Sequence, residues 1–222
     1  MEIIALILSV VVGALLVLVL KPKKKIVTLL LTFSGAYLLS ITVLKLFPEI
    51  FSKGDETIGV YIILGLLIQL MLDFFSKGAE HGHIHAVDTQ VFPWALFLSL
   101  TIHAFMEGLP LSDHEHHDLL WAIVIHKIPI VMVLVSFLLY YTSKKGVALL
   151  FLIIFALMTP LGTIVGNRIP LLIQYSNEIN AIVAGAFLHI ATIILFESSK
   201  DHRFNIQKFT AILVGVALAL IM

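Results

Sequence analysis

The sequence has no cysteine and little charge, and each absence removes a class of protein. Without cysteine there are no disulfides and no thiolate metal sites, so a soft-metal site has to be built from histidine, methionine or carboxylates. Only 13% of the 222 residues are Asp, Glu, Lys or Arg, whereas a soluble domain carries about 25%. That is too little polar surface to wrap a water-soluble globule. The formal net charge is zero, which argues against nucleic acid as a partner. The N-terminus also lacks the positive stretch that precedes the apolar core of a signal peptide. It begins Met1-Glu2-Ile3-Ile4, and its apolar run ends in Lys21-Pro22-Lys23-Lys24-Lys25, so a retained first helix is expected.

What is present is apolar. Hydrophobic residues make up 60% of the chain, and the mean hydropathy is +1.08. They come in runs long enough to cross a bilayer as helices of roughly 20 residues. The runs predict an all-α integral membrane protein, one transmembrane domain over 1–222, with eight spans near 3–20, 26–47, 57–75, 92–111, 119–141, 146–166, 179–196 and 206–222. The last is the shortest. Cations test this division. With the N-terminus outside, the inward loops hold ten: Lys21, Lys23, Lys24, Lys25, Lys77, Lys144, Lys145, Lys200, Arg203 and Lys208. The outward loops hold Lys53 and Arg168, while Lys45 and Lys127 fall inside spans. The inward excess predicts a multi-pass protein of the cell membrane (plasma or inner) with both termini outside.

Span two reads GAYLLSITVL (35–44) and span seven reads GAFLHIATII (185–194), identical at four positions. By the charge count these segments run in opposite directions. Chance resemblance of apolar segments is one account. The other is an inverted repeat of three spans, two central spans and three inverted spans, with the substrate site at the repeat interface.

Under that arrangement spans four and five are central, and they carry the strongest polar residues. His103 and Glu107 are four residues apart, on one helix face. A carboxylate in mid-bilayer costs at least about 2.5–3.5 kcal/mol and calls for a function, although a structural hydrogen bond within the bundle is the plain alternative. Span five places His126 and Lys127 side by side, with Pro129 in the next turn. A loop of only seven residues, SDHEHHD (112–118), joins the two spans, so they are expected to be antiparallel neighbours with His103, Glu107 and His126 at similar depth. Two imidazoles and one carboxylate suit Zn²⁺ with an open coordination position, and the same ligands accept Cd²⁺, Fe²⁺, Mn²⁺ and Co²⁺. Gly108, Pro110 and Pro129 are expected to loosen both helices there.

Several of these segments are similar to the ZIP (Zrt/Irt-like) family of divalent metal transporters. HAFMEGLPL (103–111) and HKIP (126–129) resemble the family's span-four and span-five motifs. KLFPE (45–49) and MTPLG (158–162) are also familiar from it. The resemblance implies eight helices in a three-two-three inverted arrangement with both termini outside, usually as a homodimer. It also implies a site that in many members holds two adjacent metals. The second metal uses a polar residue after the span-four His, an acid or amide after the span-five His, a Glu four beyond that His, and in some members an acid in span six. Here those positions are Ala104, Lys127, Ile130 and Thr159. One metal site is therefore expected, from His103, Glu107 and His126, with the Lys127 ammonium in place of the second metal. This resembles the subset with His-Lys in span five.

Other polar residues carry two readings each. Lys127 either serves transport or forms a structural ion pair with Glu107. His189 in span seven is an accessory ligand or a histidine bonded to a carbonyl. Lys45 snorkels or pairs with Glu49, and Asp73 is a solvated helix end or a functional acid. His81, His83 and His85 in an inward loop, and His114, His116 and His117 in an outward one, either gather metal at the pore mouths or are solvated polar loops. Trp94 and Trp121 sit at span ends, as interfacial anchors do. The function these readings support is import of a divalent metal, Zn²⁺ first, by a protein that is not an enzyme and has no catalytic cofactor; its partners are the metal ion and the lipid bilayer. The competing reading is a membrane-embedded zinc-dependent hydrolase, with His189 as a third histidine. A metal receptor without flux is a third.

Overall fold

The computed structural model describes residues 1–76, 92, 94–112, 117–142, 144–196 and 205–222. Among these residues it is all helical, with no strand. Lipid offers the backbone no hydrogen bonds, so an apolar run of this length satisfies its peptide groups within its own helix. Among the described residues seven helices are long and apolar enough to cross a membrane: α1 (Glu2–Leu20), α2 (Lys24–Lys53), α3 (Ile58–Ser76), α4 (Trp94–Leu111), α5 (His117–Tyr141), α6 (Lys145–Arg168) and α7 (Ser176–Phe196). The eighth predicted span forms a shorter apolar helix, α8 (Ile206–Ile221).

The helix ends follow local chemistry. α1 finishes in a π-helical turn, Leu16–Leu20, and Lys21 then adopts a left-handed backbone (φ 44°). Pro22 follows and cannot continue the hydrogen-bonding ladder. α2 runs on to Lys53, past the expected end near 47. Pro48 lies inside it, and the turn just before, Thr42–Leu46, is π-helical. The extra residue of a wide turn makes room for the proline ring, so the helix continues. Before α3, the Asp55 carboxylate accepts hydrogen bonds from the Thr57 hydroxyl (2.6 Å) and the Thr57 amide (2.9 Å). Those bonds hold the Asp55 pKa below its ordinary value. α5 and α6 pass unbroken through Pro129 and Pro160.

Helices in lipid gain little from excluding water, so close backbone approach decides their pairing. α3 packs along α7, α8 along α2, α4 against α6, and α1 against α5. Each pairing has a glycine at the contact. A Cβ on Gly65 would lie 1.8 Å from the Ile182 carbonyl oxygen, and one on Gly185 would lie 1.9 Å from that of Ile62. Gly215 faces the Phe33 carbonyl (2.6 Å), Gly162 that of Phe105 (2.1 Å) and Gly13 that of Ile128 (2.7 Å). At Gly108, expected to loosen α4, the α-helix gives way to a 3-10 turn, Leu109–Ser112, and the same glycine packs against α6, its Cβ position 2.0 Å from the Thr159 carbonyl. The Thr159 and Thr163 hydroxyls donate to the Ala104 carbonyl (2.6 Å) and the Gly108 carbonyl (3.0 Å) across the same seam. α5 is the most enclosed of the seven helices, 78% buried along its span, whereas α3 is only 22% buried and turns Ile63, Leu67, Leu70 and Phe74 outward. The centre of the bundle is therefore built on α5.

The glycine contacts give the first test. Gly65→Ala is expected to destabilise the purified protein by at least about 1–3 kcal/mol, because the helices must separate to admit a methyl group. Gly59, also on α3, has nothing within 4 Å of its Cβ position. Gly59→Ala should therefore leave the thermal midpoint unchanged or slightly raised. Thermal unfolding in detergent, followed by circular dichroism, compares the two.

Candidate metal centre

α4 and α5 bring their polar residues together inside the bundle. His103 is 1% exposed, Glu107 1%, His126 0% and Lys127 2%. His103 and Glu107 stand one turn apart on α4, with Nε2 and Oε1 3.1 Å apart. The other carboxylate oxygen, Oε2, accepts a 2.6 Å hydrogen bond from the Lys127 ammonium on α5. His126 approaches from the neighbouring face of α5. Ligand atoms of His103, Glu107 and His126 all lie within 4.8 Å of one another. The donor set is two imidazoles and a carboxylate on two facing helices, and one divalent cation can bridge such a set.

The Glu107–Lys127 contact has the geometry of a charge-assisted bond. Lys127 Nζ also lies 5.1 Å from the centroid of the Phe155 ring on α6, within cation–π range. The ammonium is thus held by a carboxylate and an aromatic face. Ala104, Ile130 and Thr159, the other positions expected to matter for a second metal, supply no ligand of the imidazole or carboxylate kind. Ala104 and Ile130 are buried in the apolar core. The Thr159 hydroxyl is engaged with the Ala104 carbonyl.

Sequence reasoning missed two residues. Ser34 on α2 is fully buried, and its Oγ lies 3.3 Å from His126 Nδ1. It sits in an apolar-looking segment, and only the packing of α2 on α5 exposes its role. Gln69 on α3 is also fully buried, one turn beyond Gly65 on the face that meets α7. An uncharged amide in mid-span, spaced four residues from a packing glycine, is the signal that could have found it.

The remaining residues fall elsewhere. His189 is buried on α7 and is not part of the mutually close group, which Glu107 completes. Asp73 is half-buried near the end of α3. Lys45 pairs with Asp118 at the first turn of α5 (3.3 Å), and Glu49 with Lys53 (2.7 Å). His117 is exposed, and its Nε2 accepts a long 3.4 Å hydrogen bond from the Trp121 indole. His81, His83, His85, His114 and His116 lie outside the described residues.

The family model described as ZIP Zinc transporter matches residues 76–222, about two thirds of the chain. The matched part contains α4 to α8 and every residue of the buried cluster. No curated protein matches the sequence.

The ion pair can be tested without any metal. Lys127→Met removes the cation closest to Glu107 and is expected to cost about 3–5 kcal/mol, because a buried charge is left uncompensated. The double variant Glu107→Gln/Lys127→Met removes both charges and should recover most of that loss. Unfolding midpoints of the two variants and of each single change give the coupling.

Proposed function

The chain belongs to the ZIP zinc transporter family, and from that premise we propose that it carries a divalent metal ion, Zn²⁺ first, toward the cytoplasm through one intramembrane site made of His103, Glu107 and His126. The observation that carries this reading is the buried cluster itself, three potential ligands within 4.8 Å of one another on two central helices. Lys127 acts as a fixed cation beside that site, as in the subset with His-Lys in span five. In the absence of metal its ammonium neutralises Glu107. A metal arriving from the outer face competes for the same carboxylate. The absence of imidazole or carboxylate side chains at Ala104, Ile130 and Thr159 favours one metal over two.

Metal transport is preferred over zinc-dependent hydrolysis on two grounds. Family members are transporters rather than enzymes. The third member of the cluster is also a carboxylate already bonded to a lysine, not the third histidine a hydrolase would use. Zn²⁺ is the first choice because two imidazoles and a carboxylate suit it; Cd²⁺, Fe²⁺, Mn²⁺ and Co²⁺ are the competitors.

The proposed topology has eight spans, α8 being the last, with both termini outside the cell membrane. Ten cations in the inward segments against two in the outward ones support it. The helix pairings support the inverted repeat. Exchanging α1 with α6, α2 with α7, α3 with α8 and α4 with α5 turns the α3–α7 contact into α8–α2 and the α4–α6 contact into α5–α1. The glycines exchange in the same way, Gly65 with Gly215 and Gly162 with Gly13.

Reconstituted liposomes test the transport. Zinc entry read by an internal dye is expected to saturate with external zinc, and to fall to the level of empty liposomes for Glu107→Ala. Lys127→Ala is expected to change the flux; an unchanged flux with lowered stability would make that lysine purely structural. No flux of any of the five metals above empty liposomes would sink the proposal. The cysteine-free background makes the topology equally direct to test. In intact cells an impermeant maleimide should label Lys53→Cys and Glu2→Cys, but Lys144→Cys only after permeabilisation.

A further inference from the structure

We propose that Ser34 is a positioning residue that selects the tautomer of His126, so that Nε2 is the atom turned to a metal. This deepens the proposed metal site and rests on it. Ser34 and His126 are both fully buried, on α2 and α5. The Ser34 hydroxyl has two neighbours: the Leu31 carbonyl one turn back on its own helix (3.1 Å) and His126 Nδ1 (3.3 Å). A hydroxyl has one proton and two lone pairs, and a carbonyl oxygen can only accept. For both contacts to be hydrogen bonds the proton goes to Leu31, and the lone pairs of Oγ then face the imidazole. Both contacts are hydrogen bonds only if Nδ1 carries a proton and donates it to Ser34. A neutral imidazole has one N–H. With the proton on Nδ1, the lone pair is on Nε2, the other ring nitrogen.

The chemistry of the cluster gives this choice its consequence. Glu107 already has Lys127 on Oε2 and His103 beside Oε1. Were His126 in the other tautomer, its Nε2–H would be drawn to that carboxylate and would put a proton where a metal needs a lone pair. The serine relay, Nδ1–H to Oγ and O–H to the Leu31 carbonyl, removes that alternative. Histidine ligands in metal sites commonly rely on such a partner at the far nitrogen, and its loss lowers metal affinity about 10–100-fold. Ser34 differs in lying on a third helix. It couples the donor state of the site to the seating of α2 on α5.

The test uses the full-length protein with ¹⁵N-labelled histidine, free of metal, at a pH where the imidazoles are neutral. Long-range ¹⁵N–¹H correlations distinguish the two tautomers, and the spectrum of His126→Gln assigns the signals. The wild-type protein is expected to show His126 with the proton on Nδ1. Ser34→Ala should shift it toward the Nε2–H form and weaken Zn²⁺ binding about 10–100-fold, read by competition with a chelating dye. Ser34→Thr keeps the hydroxyl and should retain both the tautomer and the affinity. A wild-type His126 in the Nε2–H form would overturn the inference, as would a Ser34→Ala protein with the same tautomer and affinity. Because the tautomer is read without metal, the premise is separable. A wild-type protein that has the Nδ1–H form but binds no Zn²⁺ overturns the metal-site reading and leaves the tautomer assignment standing.

Discussion

A carboxylate buried among membrane helices needs a cation against it, and the centre of this protein is arranged around that need. Glu107 is 1% exposed, and the Lys127 ammonium stands 2.6 Å from it. Taking either charge out of water costs several kcal/mol even after the surroundings relax, and only close pairing offsets it. The pair therefore constrains how α4 and α5 meet, in register and in rotation. Once that register is set, His103 follows from its position one turn before Glu107 on α4, and His126 from its position next to Lys127 on α5. The cluster of three potential ligands is a geometric consequence of satisfying one buried carboxylate.

Holding that register is the work of the glycine seams. Where a Cβ would fall about 2 Å from a neighbouring carbonyl, the two backbones are as close as helices come, and small rotations or slides meet hard repulsion. α4 is fixed to α6 at Gly108 and Gly162, with Thr159 and Thr163 donating across the same seam. α5 is fixed to α1 at Gly13. The ion pair thus joins two helices that are each locked to a different neighbour. The α3–α7 and α8–α2 seams flank this central group, and α2 also packs directly on α5, where Ser34 meets His126.

Much of this was legible in the sequence, for identifiable reasons. Seven of the spans were legible as long apolar helices because lipid imposes length and apolarity on every helix. The site was legible because charge is so rare in this chain that His103, Glu107, His126 and Lys127 stand out against it, and because spacings of four and of one along a helix fix relative direction. The ends were less legible. α2 runs to Lys53 because a π-helical turn accommodates Pro48, and nothing in the residue order announces a wide turn. Gly108 reads as a helix loosener when only its own helix is considered; its packing role depends on α6, some 50 residues away. Ser34 and Gln69 were missed for the same cause. An uncharged polar side chain in a helix can bond its own backbone, so its composition carries no alarm. Lys45 was expected to snorkel or to pair with Glu49 on its own helix and meets Asp118 of α5, since local spacing cannot foresee a contact made across the bundle.

The lysine that neutralises Glu107 also limits how a metal could be held in the proposed site. Glu107 and Lys127 together are neutral. A divalent ion placed in the same cluster would face an ammonium only a few ångströms away, and at an effective dielectric near 20 each pair of unit charges at 4 Å repels by about 4 kcal/mol. A doubly charged ion would feel about twice that. That repulsion would offset part of the attraction of Glu107 for the ion, and it would fall if the ammonium drew back from Oε2. The Phe155 ring, 5.1 Å from Nζ, gives the displaced cation a second attractive partner at short range. Any work of separating the pair would be subtracted from the affinity of a metal. For a storage site that would be a defect. For the transport site proposed above it would be an advantage, because an ion held too tightly does not leave, and the ammonium would be at hand to reclaim the carboxylate.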